Sequence, residues 1–154
     1  MLTLNLPNYK PKVTQRNGKN FIFDPLRRKE VALTPEEWVR QCFVNYLIVE
    51  KNYPRELVAN EVTVSLNHQS KRCDTVVYNR YIEPLAIVEY KAPTVSITQE
   101  VFEQIARYNL VLRVNYLIVS NGLEHYCCRL HYETATCEYL KEIPDYHTLT
   151  VSSH

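Results

Sequence analysis

Residues 85–91 read Leu-Ala-Ile-Val-Glu-Tyr-Lys, an apolar run of strand length that ends in two charged side chains. Its first four residues would be apolar on both faces, which is typical of a central strand covered from two sides. Side chains two apart on a strand point the same way, so Glu89 and Lys91 are expected to project together. Charge at the end of a buried strand is costly unless it is paired or holds a metal. This stretch therefore predicts either an ion pair or a functional site.

The sequence before this strand predicts a helix and two further strands. Residues 34–37 (Thr-Pro-Glu-Glu) supply an N-cap, a proline for the first helical position and a glutamate that completes a capping box. Apolar residues then recur at helical spacing as far as Leu47, and Pro54 bounds the helix. Residues 62–66 alternate apolar and polar side chains, and residues 73–79 form a second strand-like run.

The chain beyond the quoted run predicts a second helix, capped by Ser96 or Thr98, and then more strands. Residues 116–119 are apolar without interruption, as in a buried strand, and two C-terminal strands follow at 126–133 and 136–143. The order of helix, three strands, helix, strand and strand pair predicts an α/β fold in which helices cover a sheet.

No linker or internal repeat divides the sequence, so we expect a single domain over residues 1–154. Within it we expect a core at about residues 34–121, an N-terminal extension at 1–30 and a C-terminal strand pair at about 125–143. The dipeptide Asn17-Gly18 predicts a hairpin in the extension.

Composition narrows the class of protein. With 45% hydrophobic and 23% charged residues, the chain is typical of a soluble globular protein, and no apolar run is long enough to span a membrane. The N-terminus lacks the pattern of a secretory signal, and five cysteines without Cys-x-x-Cys spacing fit reduced thiols in the cytoplasm. Net charge is +1, but residues 1–29 carry seven basic side chains against Asp24 alone. This basic extension predicts either phosphate contacts or a solvated arm.

Two carboxylates and an ammonium are the candidate functional groups. Asp74 lies on the strand before Glu89 and a short connection joins the two strands, so both side chains can reach the same end of the sheet. Carboxylate oxygens suit Mg²⁺, which typically keeps several waters beside one or two protein carboxylates. Lys91 could hold or deprotonate an attacking water, or neutralise a phosphate. The alternative is an exposed ion pair between Glu89 and Lys91, with Asp74 an ordinary strand-start residue.

These residues resemble a known nuclease signature. Asp74 followed by Glu89-Tyr90-Lys91 looks like the core of the PD-(D/E)XK superfamily, and the predicted order of elements is similar to its αβββαβ core. Further blocks resemble the N-terminal domain of type I restriction enzyme R subunits: residues 24–27, 33–41 and 87–93, the element Gln104-x-x-x-Tyr108-Asn109, and residues 120–122.

The resemblance implies a restriction endonuclease-like fold, with a central mixed sheet flanked by helices. It also implies a hydrolase: a Mg²⁺-dependent endonuclease that cuts double-stranded DNA, with Mn²⁺ able to replace Mg²⁺. Asp74 and Glu89 would be metal ligands and catalytic residues, and Lys91 would be the catalytic lysine.

Two further assignments carry over less directly. Gln104 and Tyr108 match the Gln-x-x-x-Tyr element of this branch and, four residues apart, share a helix face. They could contact DNA or steady the site; alternatively, Tyr108 is core and Gln104 a surface amide. The first helix of such nucleases often supplies another acid. We expect Glu36 to be a metal ligand ahead of Glu50, whereas Glu37 belongs to the capping box.

Gly18 and Gly122 are the only glycines, so the sequence contains no phosphate-binding loop of an ATP-driven motor. We therefore expect a nuclease without its own motor, either free-standing or one module of a larger assembly. Targeting would need methyltransferase, specificity or motor subunits, or a homo-oligomer. The alternatives are a non-catalytic DNA-binding or assembly module of the same fold and a structure-specific DNA nuclease.

Overall fold

The computed structural model describes residues 3–151, in which the N-terminal extension forms a small sheet of its own. Its three antiparallel strands are β1 (Val13–Arg16), β2 (Lys19–Asp24) and β3 (Lys29–Ala32). Asn17 and Gly18 both have positive φ, as the tight turn between β1 and β2 requires, so the predicted hairpin is confirmed. β3 is absent from the sequence prediction because four residues are too few for an alternating pattern to stand out.

The second sheet carries the predicted core. Its elements are α1 (Pro35–Val49), β4 (Val58–Leu66), β5 (Gln69–Tyr78), β6 (Pro84–Tyr90), α2 (Gln99–Asn109), β7 (Tyr116–Ser120), β8 (His125–His131), β9 (Thr136–Leu140) and α3 (Tyr146–Val151). The strands follow their sequence order, with β6 and β7 parallel and every other neighbouring pair antiparallel. The predicted αβββαβ order and mixed sheet are therefore confirmed, whereas α3 was not predicted.

The quoted run lies at the centre of this sheet as β6, between β5 and β7. Residues 85–88 are all buried, because α1 covers one face of the sheet and α2 the other. Val88 packs with Val39 and Phe43 of α1, and Ile87 packs with Phe102 of α2. The doubly apolar pattern thus arises from two hydrophobic cores, one on each side of the strand. No helix within residues 3–151 has the length and apolarity that a membrane crossing requires.

Hydroxyl caps set the starts of both long helices. The Thr34 hydroxyl accepts the Glu37 backbone N–H at 3.0 Å, and Pro35 occupies the first turn of α1. Thr98, one of the two predicted caps, accepts the Val101 N–H at 3.2 Å at the start of α2. The capping box of α1 is only half formed, because the Thr34 N–H donates to the Ala32 carbonyl.

In the hairpin of β4 and β5, the face of the sheet to which side chains point changes at Glu61. In a regular strand Asn60 and Val62 would share a face. Instead, Asn60 hydrogen-bonds the Thr75 hydroxyl on the α1 side, and Val62 packs into the core on the α2 side. Glu61 has φ of 55°, which is uncommon for a residue other than glycine and explains the change of face. Asp74 lies opposite Glu61 in the register of the two strands.

Candidate active site

An open pocket of about 370 Å³ lies where β6 ends, between the start of α1 and the last turns of α2. It gathers all six side chains that the sequence pattern and the resemblance single out as site residues. Its lining consists of Glu36, Asp74, Glu89, Tyr90, Lys91, Gln104, Ile105, Tyr108 and Asn109. These residues are brought together from four elements although they extend from position 36 to position 109 of the chain.

Asp74 and Glu89, termed the open pair below, line the pocket together from β5 and β6. Asp74 comes just before Thr75 and Glu89 just after Val88, and Thr75 and Val88 are paired in the register of these strands. Asp74 Oδ2 accepts the Tyr90 backbone N–H at 2.9 Å. Glu89 Oε1 is buried without a hydrogen-bond partner among the described residues. Burial, followed by the negative charge of Asp74, raises the pKa of Glu89 to about 9.

The open pair fits a hard divalent cation. A buried carboxylate oxygen without a donor is costly, and two neighbouring carboxylates resist ionising together unless a positive charge joins them. Mg²⁺ typically binds one or two carboxylates and keeps several waters. Glu36 lines the same pocket from the first turn of α1, but residues 3–151 contain no group of three His, Cys, Asp or Glu side chains that could hold a metal. The donor set is thus two carboxylates with room for water.

Lys91 follows β6 directly and is held by its backbone, whose N–H donates to the Ser120 carbonyl on β7 at 2.9 Å. Its side chain is half-buried and lines the pocket beside the open pair. None of the ion pairs formed within residues 3–151 joins Lys91 to Glu89, so the alternative of a strand-end ion pair is not what the structure shows. The ammonium remains available to the pocket.

α2 supplies the polar wall of the pocket. Tyr108 is 51% exposed, so the alternative that it is a core residue is wrong, and Lys71 Nζ lies 3.7 Å from the centre of its ring. Gln104 is exposed on the same helix face. Asn109 belongs to the element that resembles the family but was not expected to be a site residue, yet it is buried and its Oδ1 has no partner among the described residues. Neither charge nor periodicity marks an asparagine at a helix end as a site residue.

A second group of charges, termed the paired cluster below, lies beside the pocket and is drawn from the end of β2, the loop that follows it, α1 and β4. Arg27 bridges Asp24 and Glu37, with 2.7 Å from its Nη2 to Glu37 Oε1. Arg40 lies 3.2 Å from Glu37 and donates to Glu61 at 2.7 Å. Every acid of this cluster has at least one guanidinium partner. Its members are Asp24, Arg27, Glu37, Arg40 and Glu61.

Hydrogen bonds lower the pKa values of two acids of the paired cluster, Asp24 and Glu61. Burial alone would raise the pKa of Asp24, but hydrogen bonds from Arg27, Asn60 and the Leu26 N–H lower it. Glu61 shows the same balance: burial acts to raise its pKa, and hydrogen bonds from Arg40 and Arg72 lower it. Each carboxylate of the cluster therefore has a positive partner, whereas Glu89 has none among the described residues, although Arg40 Nε in the cluster is also buried without a hydrogen bond.

The other acids of α1 lie away from the pocket. The expectation that Glu37 serves the capping box is wrong for its carboxylate, which binds Arg27 and accepts the Gln41 amide at 2.9 Å. Glu50 is exposed at the C-cap of α1, at the far end of the helix from the pocket. Of the three acids weighed for the site, only Glu36 lines it.

Comparison with known proteins adds two matches. A family model of the type I restriction enzyme R protein N terminus matches residues 35–144. A solved fragment assigned to an HsdR subunit of a type I restriction enzyme from Vibrio vulnificus YJ016 shares the fold, with a TM-score of 0.55 and 20% identity. That match covers 77% of this chain and 25% of the Vibrio chain. No curated protein sequence matches the chain.

Proposed function

Because the chain belongs to the family of type I restriction enzyme R protein N termini, we propose that it is a Mg²⁺-dependent endonuclease that hydrolyses phosphodiester bonds in double-stranded DNA. The observation that carries the proposal is the open pair. Asp74 and Glu89 line one pocket that also contains Lys91, and Glu89 Oε1 is buried without a donor among residues 3–151. Uncompensated carboxylates in a cleft are typical of catalytic sites rather than of structural ones.

Each residue has a role that follows from its place. Asp74 and Glu89 would hold Mg²⁺, or Mn²⁺ in its place, and Glu36 would bind it through a water or by a small shift of its exposed side chain. When bound, the cation would lower the pKa of a coordinated water and offset charge on the phosphate. Lys91 would hold or deprotonate the attacking water, or neutralise the scissile phosphate. The Tyr90 N–H would keep the Asp74 carboxylate in place.

The α2 wall and the N-terminal sheet would contact the DNA. Gln104 and Tyr108 are exposed at the pocket and would position the strand that is cut. The basic extension supplies charge for phosphate contacts on residues that precede the part matched by the family model. We further propose that this nuclease acts in the cytoplasm with motor, specificity or methyltransferase subunits, or as a homo-oligomer, in keeping with its membership of the restriction R protein family.

Cleavage of supercoiled plasmid tests the proposal. The parent protein should nick or linearise plasmid with Mg²⁺ or Mn²⁺ and leave it intact with a chelator. Lys91→Ala should lower the rate by about 10²–10⁴-fold, the range of general acid–base groups. Lys141→Ala removes an exposed lysine outside the pocket and serves as the matched control. If Lys91→Ala cuts as well as the parent, the catalytic assignment is wrong.

A second candidate function is a non-catalytic DNA-binding module, favoured by the basic sheet that lies outside the family match. Salt-sensitive DNA binding without any heat of metal binding would support it. A panel of branched and linear duplexes separates the third candidate, a structure-specific nuclease, from a general endonuclease.

A further inference from the structure

The strand ladder is interrupted next to the candidate metal site. β4 and β5 pair Asn60 with Thr75 and Val62 with Cys73, but the intervening residues Glu61 and Asp74 are not paired. Glu61 has φ of 55°, a left-handed conformation in the middle of a strand. Such backbone costs free energy and persists only where the surroundings hold it, and it tends to cluster at functional sites. The backbone at Glu61 and Asp74 therefore needs contacts from neighbouring residues to hold it in this conformation.

Arg40 provides that support from α1. Its guanidinium donates to the Asp74 backbone carbonyl at 2.6 Å through Nη1 and to Glu61 Oε1 at 2.7 Å through Nη2. Arg40 is 8% exposed, and its Cζ lies 5.8 Å from the centre of the Tyr90 ring. Tyr90 in turn donates its N–H to the Asp74 carboxylate. One guanidinium thus contacts both residues of the interruption and the residue that orients the Asp74 side chain.

We propose that Arg40 and Glu61 are positioning residues for the open pair, an inference that rests on the proposed nuclease function. Neither side chain lines the pocket, so each acts through the backbone of Asp74. The left-handed Glu61 changes the face of the hairpin, and Arg40 replaces the missing strand contact at the Asp74 carbonyl. Together they hold the Asp74 carboxylate toward Glu89, as outer residues commonly orient metal ligands.

The direct test is the Mn²⁺ affinity of Arg40→Lys in the full chain, measured by calorimetry alongside the plasmid cleavage rate at increasing Mn²⁺. Lysine keeps the positive charge but cannot contact both oxygens at once. We expect Mn²⁺ affinity to fall by about 10–100-fold, the usual effect of losing an outer-shell partner. The apparent DNA affinity should stay near that of the parent, and high Mn²⁺ should recover much of the rate. A purely structural role would not give that metal rescue.

Glu61 provides a second set of variants if Arg40→Lys fails to fold. Glycine adopts φ of 55° without steric cost, so Glu61→Gly keeps the backbone and removes one of the two carboxylates that pair with Arg40, the other being that of Glu37. We expect it to weaken Mn²⁺ binding less than Arg40→Lys does. Glu61→Gln keeps an oxygen that accepts a hydrogen bond from Arg40, so its Mn²⁺ affinity should stay near that of the parent.

Two controls separate positioning from general stability. Arg72→Ala breaks the outer ion pair of Glu61, at 3.1 Å, without touching Asp74, and should leave Mn²⁺ affinity unchanged. Val39→Ala removes core volume at the neighbouring position of α1 and should lower stability without changing metal affinity.

Parent-like Mn²⁺ affinity in both Arg40→Lys and Glu61→Gly would overturn the positioning proposal and leave the proposed nuclease function intact. A parent protein that binds no Mn²⁺ and cuts no DNA would overturn both. The two failures are therefore distinguishable in one series of titrations.

Discussion

The paired cluster and the open pair adjoin each other, since Arg40 of the cluster donates to the Asp74 carbonyl, and both contain buried carboxylate oxygens. In the paired cluster, each acid bonds at least one guanidinium, and the pKa values of Asp24 and Glu61 are lowered. In the open pair, Glu89 has a buried oxygen without a donor, and its pKa is raised to about 9. The difference teaches that buried charge alone does not identify a site. A buried charge without a partner in the protein is the better sign of a site, because a fold tolerates such a charge where a ligand can neutralise it.

The largest expected difference between the two regions is in catalysis. We expect Glu89→Gln to lower the Mg²⁺-dependent plasmid cleavage rate by about 10³-fold or more, because it removes a metal ligand. Glu37→Gln makes the same chemical change in the paired cluster and should retain most of the parent rate at temperatures where it is folded. Initial rates of both variants provide the measurement. Equal losses in the two variants would remove the distinction between the regions.

The free energy of unfolding should depend more on the paired cluster than on the open pair, the reverse of what we expect for catalysis. Glu37→Gln leaves Arg27 and Arg40 without their shared carboxylate, so the free energy of unfolding should fall by about 3 kcal/mol, in the range for breaking a buried ion pair. Urea unfolding with a chelator present gives this value. Glu36→Gln, on the exposed neighbouring position, is the matched control and should change stability by less than about 0.5 kcal/mol. A Glu37→Gln protein as stable as the parent would contradict the structural role.

The contributions of the two regions to stability should also depend on pH in opposite directions. The pKa of Glu89 is raised from 4.5 to about 9, so folding favours its neutral form. Its contribution to stability is full below its unfolded pKa and is lost as the pH rises toward about 9. The pKa of Asp24 is lowered, so its contribution is present above its unfolded value and is lost as the pH falls.

Without metal, Glu89→Gln should therefore become more stable than the parent as the pH rises, by about 1 kcal/mol at about pH 8, the scale of one unsatisfied buried group. Thermal unfolding of both proteins in chelator across the pH range measures the difference. Adding Mg²⁺ should stabilise the parent alone. Parallel curves for parent and variant would show that the Glu89 carboxylate carries no burial penalty.

The smallest effect is expected where ion pairing is exposed. The side chains of Arg16 and Glu30 pair at 3.0 Å with 60% and 30% of their surface exposed. Arg16→Ala should lower the free energy of unfolding by less than about 1 kcal/mol. A loss as large as that of Glu37→Gln would mean that burial does not govern the energetics of these charges.

Sequence patterns predicted the central strand, both long helices and the gathering of Asp74, Glu89 and Lys91, because each depends on local periodicity and on strand geometry. They could not predict where Glu37 would point. Its capping motif is local, whereas its partner Arg27 lies ten residues earlier, in the connection between β2 and β3, and meets it only in the folded chain.

The change of face in the β4–β5 hairpin at Glu61 could not be predicted from the sequence either. The alternation of residues 62–66 predicts a strand but says nothing of which face of the sheet it continues. A left-handed glutamate gives no compositional signal of the kind that glycine or Asn-Gly gives. The role of Arg40 could not be predicted either, because its contacts with Asp74 and Glu61 join residues that are 34 and 21 positions apart in the sequence.

Calorimetric titration of Mg²⁺ into the metal-free parent, Glu89→Gln and Glu37→Gln tests the central claim most directly. The claim is that the open pair lacks a positive partner which a divalent cation supplies, and that the paired cluster does not. Mg²⁺ should bind the parent and Glu37→Gln with similar affinity and give no heat of binding with Glu89→Gln. No heat with the parent, or equal binding to Glu89→Gln, would contradict the account.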